Sequence, residues 1–350
     1  MNIVFRVDSS SQMGAGHFMR CLTLADELEK QNHNTTFICR ELKGNLIKSI
    51  EHRVHTLPVD KDFQSDDLYL SWLGATQEQD AKQTIQVIHD NVDLLVVDSY
   101  ALDEAWHKQL EPHTKKIIVI DDLADRQFNC DILLNQNLGS HKDDYKNKVP
   151  KDCKLLLGCE YALLRSEFSK LRSQALEKRK NTKEIKNILI SMGGSDRKNL
   201  TYNILQNIND SFNITVVLGA LSLHIDMIRQ YAKDKNIKVI VNANNMAELM
   251  LEADLSIGAS GSTNWERLCL GLPSLIFTVA ENQIKFSKIL NELGLIRLLG
   301  HVGERKTVNV IKESILSIDD LSAWSERCFN SCSCDGALKV AEIITSKSVS

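Results

Sequence analysis

The chain has 350 residues, 43% hydrophobic and 25% charged, with a formal net charge of −4. That length exceeds one ordinary core and predicts two domains, while the mild acidity argues against a basic nucleic-acid-binding face. No apolar run approaches the roughly 20 residues of a membrane helix, and the start, MNIVFRVDSS, lacks the basic lead and long apolar core of a signal peptide, so a cytoplasmic protein without membrane insertion is expected.

Short apolar runs of strand length alternate with amphipathic stretches of helix length. Residues 2–7 predict a strand, and 17–31 a helix with Leu22, Ala25 and Leu28 on one face. Strands are expected at 35–39, 54–59, 94–98, 117–120 and 132–135, with helices at 77–89 and 103–110 between them. Near-continuous apolar runs such as LLVVD and KIIVI imply a parallel sheet covered on both faces. Residues 165–184 turn charged and lose apolar periodicity. Domains are therefore expected at 1–165 and 186–350, with a helix-rich connector at 166–185.

A second series follows, with strands at 188–192, 214–218, 237–241, 255–257 and 274–277 and helices at 199–207, 223–233, 246–252, 263–270 and 283–293. The expected fold class is α/β, two doubly wound Rossmann-like domains facing across a cleft. Such sheets bind ligands at the carboxyl ends of their strands. Nine cysteines, an odd number, predict reduced thiols. Cys328, Cys332 and Cys334 lack the spacing and partner ligands of a zinc site, and Asp60-Lys61-Asp62 lies in a polar loop. Neither specifies a metal, and no cofactor is expected.

Two loops carry the chemistry. The first, from Arg6 through Asp8 to Gly14-Ala15-Gly16-His17, leaves a strand and opens a long helix, where free backbone N–H groups meet the positive helix end. Gly14 and Gly16 allow close approach to the backbone, but Met19 stands where a dinucleotide fingerprint needs a third glycine. His17, at the positive helix end, is disfavoured as a cation and suits a neutral base that takes a proton from water. A backbone-bonded loop histidine is the bland alternative.

In the second, Gly258-Ala259-Ser260-Gly261 turns from a strand into Ser262-Thr263-Asn264-Trp265-Glu266. Small residues, hydroxyls and free N–H groups at a helix start suit a diphosphate. Thr263 and Glu266 also have the spacing of a capping box. Ser191-Met192-Gly193-Gly194-Ser195-Asp196 and Glu281-Asn282-Gln283 end strands on the same edge, where a plain turn and a helix cap are the competing readings. Asp121-Asp122, after KIIVI, is either structural or part of the cleft lining.

The run from GGSD through GASGSTNWERLCLGLPSLIFTVAENQ resembles the nucleotide-binding half of GT-B glycosyltransferases, especially the lipid-II-forming N-acetylglucosaminyltransferase group. FRVDSSSQMGAGHFMRCLTLA, VVDSYALD, VIDDLADRQFNCDILLNQNLG and YALLRSEF together resemble the UDP-sugar hydrolases of pseudaminic acid biosynthesis, over nearly the whole chain. Arg197 stands where proline is frequent in the family pattern, and Ser99 where histidine is.

The resemblance implies metal-independent, inverting hydrolysis of UDP-2,4-diacetamido-2,4,6-trideoxy-β-L-altropyranose, with His17 activating water. It assigns the sugar end to Arg6, Asp8, Gly14, Ala15, Gly16 and Tyr100. The diphosphate falls to Ser260, Gly261, Ser262 and Thr263, the ribose to Glu266, and Asn282 and Gln283 lie near the sugar or diphosphate. The expected partner is thus a small-molecule UDP-sugar. The alternatives are a GT-B glycosyltransferase using a UDP-sugar donor and a non-catalytic nucleotide-sugar binding protein; a dehydrogenase fails on the glycine pattern.

Overall fold

A computed structural model describes residues 1–88, 91–194, 196–208, 211–219, 222–302 and 310–346. His89, at the end of one expected helix, and Ser195 of the GGSD run lie outside the described residues. The chain divides into two compact units, Leu164–Cys334 and a first unit made of Met1–Leu163 plus the segment from Asp335 onward.

In the first unit the order is β1 (Asn2–Val7), α1 (Gly16–Lys30), β2 (Asn34–Arg40), β3 (Arg53–Leu57), α2 (Leu68–Leu73), α3 (Gln77–Val87), β4 (Leu94–Asp98), α4 (Glu104–Leu110), β5 (Ile117–Ile120), β6 (Ile132–Asn135) and β7 (Lys154–Leu157). The strands form one parallel sheet in the order β3-β2-β1-β4-β5-β6-β7. Alternation along β1 sends Ile3, Phe5 and Val7 to the face covered by Phe18, Leu24 and Leu28 of α1. Val4 faces the opposite core with Trp106 and Leu110. Each such large apolar side chain contributes roughly 1.5–3 kcal/mol on burial.

Two sequence expectations change here. β7, only four residues long, was not expected as a strand. The helix Gly336–Thr345 packs Ala337, Val340, Ala341 and Ile344 onto the α1 face of the first sheet, although the sequence placed it in the second domain. Its small and branched apolar residues fit a face that α1 leaves partly uncovered. Helix α2 is fixed at both ends. Asp67 accepts a hydrogen bond from the Leu70 N–H, and Gly74, at φ +68°, ends the helix left-handed.

The second unit runs α5 (Ser166–Asn181), β8 (Asn187–Ser191), α6 (Leu200–Asn207), β9 (Asn213–Leu218), α7 (Ile225–Ala232), β10 (Ile237–Val241), α8 (Met246–Glu252), β11 (Leu255–Ala259), α9 (Thr263–Cys269), β12 (Ser274–Thr278), α10 (Ile284–Glu292), β13 (Arg297–His301), α11 (Val310–Leu316) and α12 (Leu321–Ser331). Its parallel sheet has the order β10-β9-β8-β11-β12-β13.

The expected connector is α5, an integral helix of this unit. Its charge is used internally. Arg179 is buried and donates to the Met250 and Ala253 carbonyls at the end of α8, while Arg172 donates to the carbonyls of Cys269, Phe329 and Cys332. Helix ends leave carbonyls without partners, and long arginine stems reach them. The expectation of reduced thiols fails at one pair, because Cys269 and Cys334 are joined by a disulfide.

Candidate functional site

In the first unit the strand order reverses between β1 and β4, where open α/β sheets build their sites. The loop after β1 folds back on itself through paired backbone hydrogen bonds between Ser10 and Gly14, with Gly14 at φ +81°. A side chain at Gly14 or Gly16 would meet no described atom within 4 Å. The space before this loop is therefore open to a ligand.

His17 sits in the first turn of α1 with its side chain 13% exposed. Its Nδ1 lies 2.6 Å from Oδ1 of Asp98, the last residue of β4. Arg20, one helical turn later, grips Asp98 with both prongs, Nε to Oδ2 at 2.6 Å and Nη2 to Oδ1 at 2.7 Å. Burial opposes ionisation of Asp98, but Arg20 and His17 outweigh it and hold the carboxyl well below the usual range.

An ionised carboxylate can only accept, so the hydrogen between Asp98 and His17 belongs to Nδ1. The Arg20 Nη2, 3.1 Å from the same nitrogen, is then a close contact and not a second donor. In the neutral ring this leaves the lone pair on Nε2. The network continues outward, with Arg20 Nη1 donating to Asp122 at 3.2 Å and the Tyr100 hydroxyl donating to Asp122 at 2.6 Å. The Tyr100 ring packs edge-on against His17, centroids 4.5 Å apart.

Asp98 and Arg20 were missed by the sequence reading. Only part of their signal was present, as an acid closing an apolar strand and an arginine three residues after a helix-start histidine; the adjacency of that strand to β1 comes from the sheet. Arg6, which was assigned to the sugar, lies inside the first unit. Its guanidinium is fully buried, bound to Asp8 at 2.8 Å and to Asp80. Asp80 also takes hydrogen bonds from Arg40 and from the Trp106 indole. Burial works against the Asp80 carboxylate, yet Arg6 and Arg40 keep it below its usual range. Arg6 faces the inner core. Asp8 is also buried, but it lines a pocket beside His17 and Tyr100.

In the second unit the strand order reverses between β8 and β11. The loop after β11 is pinned from below. Arg267, buried, donates through Nη1 to the Ala259 carbonyl at 3.1 Å and to Asn264 Oδ1 at 2.9 Å. Asn264 donates to the Ser260 hydroxyl, which is 2.6 Å from that of Ser287. Gly258 is required, since a Cβ there would fall 2.2 Å from Arg267 Nη2.

Ser260, expected at the diphosphate, is buried, with its hydroxyl in this network and its N–H donating to the Phe277 carbonyl. Gly261, Ser262 and Thr263 lie nearer the surface. Neither Ser262, the N-cap of α9, nor any other side chain forms a cap there, so the capping box expected of Thr263 and Glu266 is not made.

Glu266 is one-fifth exposed, and Arg165 Nη2 lies 3.4 Å from it. Burial pushes its carboxyl upward against the pull of Arg165 and Arg267. Gln283 borders this loop, since a side chain at 261 would find its amide nitrogen 3.8 Å away. Gln283 also accepts from the Val279 N–H at 2.8 Å, while Asn282 is exposed. Asp196 of the GGSD run caps α6, accepting from the N–H groups of Leu200 and Thr201.

No family model matches the chain. The UDP-2,4-diacetamido-2,4,6-trideoxy-β-L-altropyranose hydrolase of Campylobacter jejuni is 32% identical over 268 residues, 75% of this chain and 87% of the relative. An uncharacterised protein of Methanocaldococcus jannaschii is 32% identical over 292 residues, 81% of this chain, and the match spans only 57% of that longer protein. Among solved structures, MurG of Acinetobacter baumannii aligns over 98% of this chain and 99% of its own with TM-score 0.63 at 14% identity, a likeness of fold. Among the described residues no helix is long and apolar enough to cross a membrane. On a GT-B-like fold of two doubly wound parallel sheets, the chain belongs to the family of the Campylobacter jejuni UDP-2,4-diacetamido-2,4,6-trideoxy-β-L-altropyranose hydrolase.

Proposed function

We propose that this chain hydrolyses UDP-2,4-diacetamido-2,4,6-trideoxy-β-L-altropyranose to the free sugar and UDP, in the cytoplasm, with inversion at the anomeric carbon and without a metal. The observation that carries the chemistry is the Asp98–His17 pair, which leaves Nε2 as the basic nitrogen. His17 takes a proton from water as the oxygen bonds to the anomeric carbon, and the electron pair of the breaking carbon–oxygen bond leaves with UDP. Asp98 orients the ring and offsets the positive charge that develops on it, and Arg20 holds Asp98 in place. Asp8, Tyr100 and the Gly14–Gly16 backbone shape the sugar end. In the second unit, Gly261, Ser262 and Thr263 serve the diphosphate and Glu266 the ribose, with Asn282 and Gln283 near the sugar or diphosphate. The substrate assignment rests on the Campylobacter relative.

The test is a phosphorus and proton NMR time course on that substrate, with chelator present and no acceptor added. Release of UDP and free sugar, the first anomer inverted, is the expected result. Intact substrate, or turnover that stops with chelator, rejects the proposal.

A further inference from the structure

The pocket beside His17 has an accessible volume of ≈ 10 Å³, about the room of one water molecule. It lies wholly in the first unit, and its apolar side is aromatic. Tyr69 and Trp72, both on the capped helix α2, meet edge to face with centroids 5.5 Å apart. Tyr69 meets Tyr100 in the same manner at 5.1 Å, and Tyr100 meets His17 at 4.5 Å. The rings thus support one another in a chain that ends on the base.

The polar side holds Asp8, His17, Ser99 and Asp98, the last already bound by His17 and Arg20. Asp8 Oδ1 is occupied by the Arg40 N–H at 2.6 Å and by Arg6. Asp8 Oδ2 is buried and has no hydrogen-bond partner among the described residues. A buried carboxylate oxygen without a donor is costly, and a small donor in this pocket removes that cost.

We infer that this pocket seats the attacking water, and that the Tyr69–Trp72 wall together with Asp8 selects water over any larger hydroxyl, which makes the protein a hydrolase and not a transferase. This rests on the hydrolytic reading above and deepens it. Water brings two O–H groups, one for His17 Nε2 and one for Asp8 Oδ2. With both hydrogens held by acceptors, a lone pair on its oxygen is left for the anomeric carbon. The proton on the His17 side passes to Nε2 as the new carbon–oxygen bond forms, and the bond to the diphosphate breaks with its electron pair leaving on UDP.

An alcohol fails on both counts. It has a single O–H, so one of the two acceptors stays unsatisfied. Its carbon also needs space that the aromatic rings occupy. Discrimination on a missing hydrogen-bond partner is much stronger than discrimination on size alone, so the carboxylate and the wall act together.

Turnover in methanol-containing buffer tests this, with methyl glycoside and free sugar resolved by NMR for wild type, Trp72→Ala and Tyr69→Ala, each checked for folding by circular dichroism. Wild type is expected to give methyl glycoside far below methanol's molar share of the solvent. Opening the wall in either variant is expected to raise the ratio of methyl glycoside to free sugar by roughly tenfold or more. The inference is overturned if wild type already incorporates methanol in proportion to its share, or if both folded variants leave the ratio unchanged. A wild type that releases no UDP instead overturns the hydrolytic reading itself, and with it the role given to the pocket.

Discussion

In both units the strand order reverses beside the first strand, between β1 and β4 in one and between β8 and β11 in the other. The two reversals are furnished differently. At the first, charged side chains converge on the strand ends, as His17, Arg20, Asp98 and Asp122 bind one another. At the second, the loop presents glycine and hydroxyl residues, and the buried Arg267 beneath it faces carbonyl and amide oxygens. Shared topology therefore fixes where a ligand sits, while the side chains at the strand ends decide whether a proton can move there. A network of ionised groups can orient a base, whereas a neutral loop over a buried cation is suited to holding an anion.

The sharpest way to break this contrast is Asp98→Asn. The amide can no longer accept as a carboxylate does, the histidine loses its orienting partner, and kcat is expected to fall roughly 10²–10⁴-fold. UDP affinity, measured by calorimetry, should stay within about threefold of wild type, a difference of about 0.7 kcal/mol. An equal loss in both would show that Asp98 supports the fold and not the base.

Acid offers a second test, because the first unit also buries His107. Burial, reinforced by Arg126, lowers this histidine to about 3. Its folded value is thus depressed below an unfolded value of about 6.5. The unfolded chain binds the extra proton, so this contribution is fully present above about pH 6.5 and is lost as pH falls toward 3. Between pH 7 and 4.5 the loss is on the order of 2–3 kcal/mol. Hydrogen exchange should show the first unit opening before the second on acidification, and His107→Gln should flatten that difference. Simultaneous opening at every pH would count against it.

The smallest effect sharpens the second unit. Glu266→Ala is expected to weaken UDP binding by about 1.5–3 kcal/mol, as for a hydrogen bond to a charged group, with kcat at saturation little changed. Ser260→Ala should leave UDP affinity unaltered, since its hydroxyl and N–H already bond inside the protein. A large loss of UDP binding in Ser260→Ala would make it a ligand.

The central sheet strands were legible in the sequence because buried parallel strands read as continuous apolar runs, as in LLVVD and the run after β11, whereas the half-buried edge strands β7 and β13 were not expected. Helix α5 was expected within a helix-rich connector, but its place in the second unit was not legible, because its arginines serve distant carbonyls and apolar periodicity does not register that use. The two loops were legible as glycine- and hydroxyl-rich turns between strand and helix. What they could not show was the direction of each side chain. Arg6 alternates inward to meet Asp80, 74 residues away in sequence, and Ser260 turns toward Ser287. Asp98 reaches His17 across 81 residues, a pairing set by the order of strands in the sheet and not by any local pattern.

The helix Gly336–Thr345 lies after the whole second unit in the chain, yet it finishes the core of the first. During synthesis, the first unit must therefore wait with the sheet face beside α1 partly bare until the ribosome has made everything in between. The second unit has no such delay, since its chain from Leu164 to Cys334 is continuous. A trimmed version ending at Cys334 would keep His17, Arg20, Asp98 and Asp122 while stripping Val340, Ala341 and Ile344 from the hydrophobic layer behind them. Tags and fusions on this protein are therefore safer when they leave that late-arriving helix free to dock.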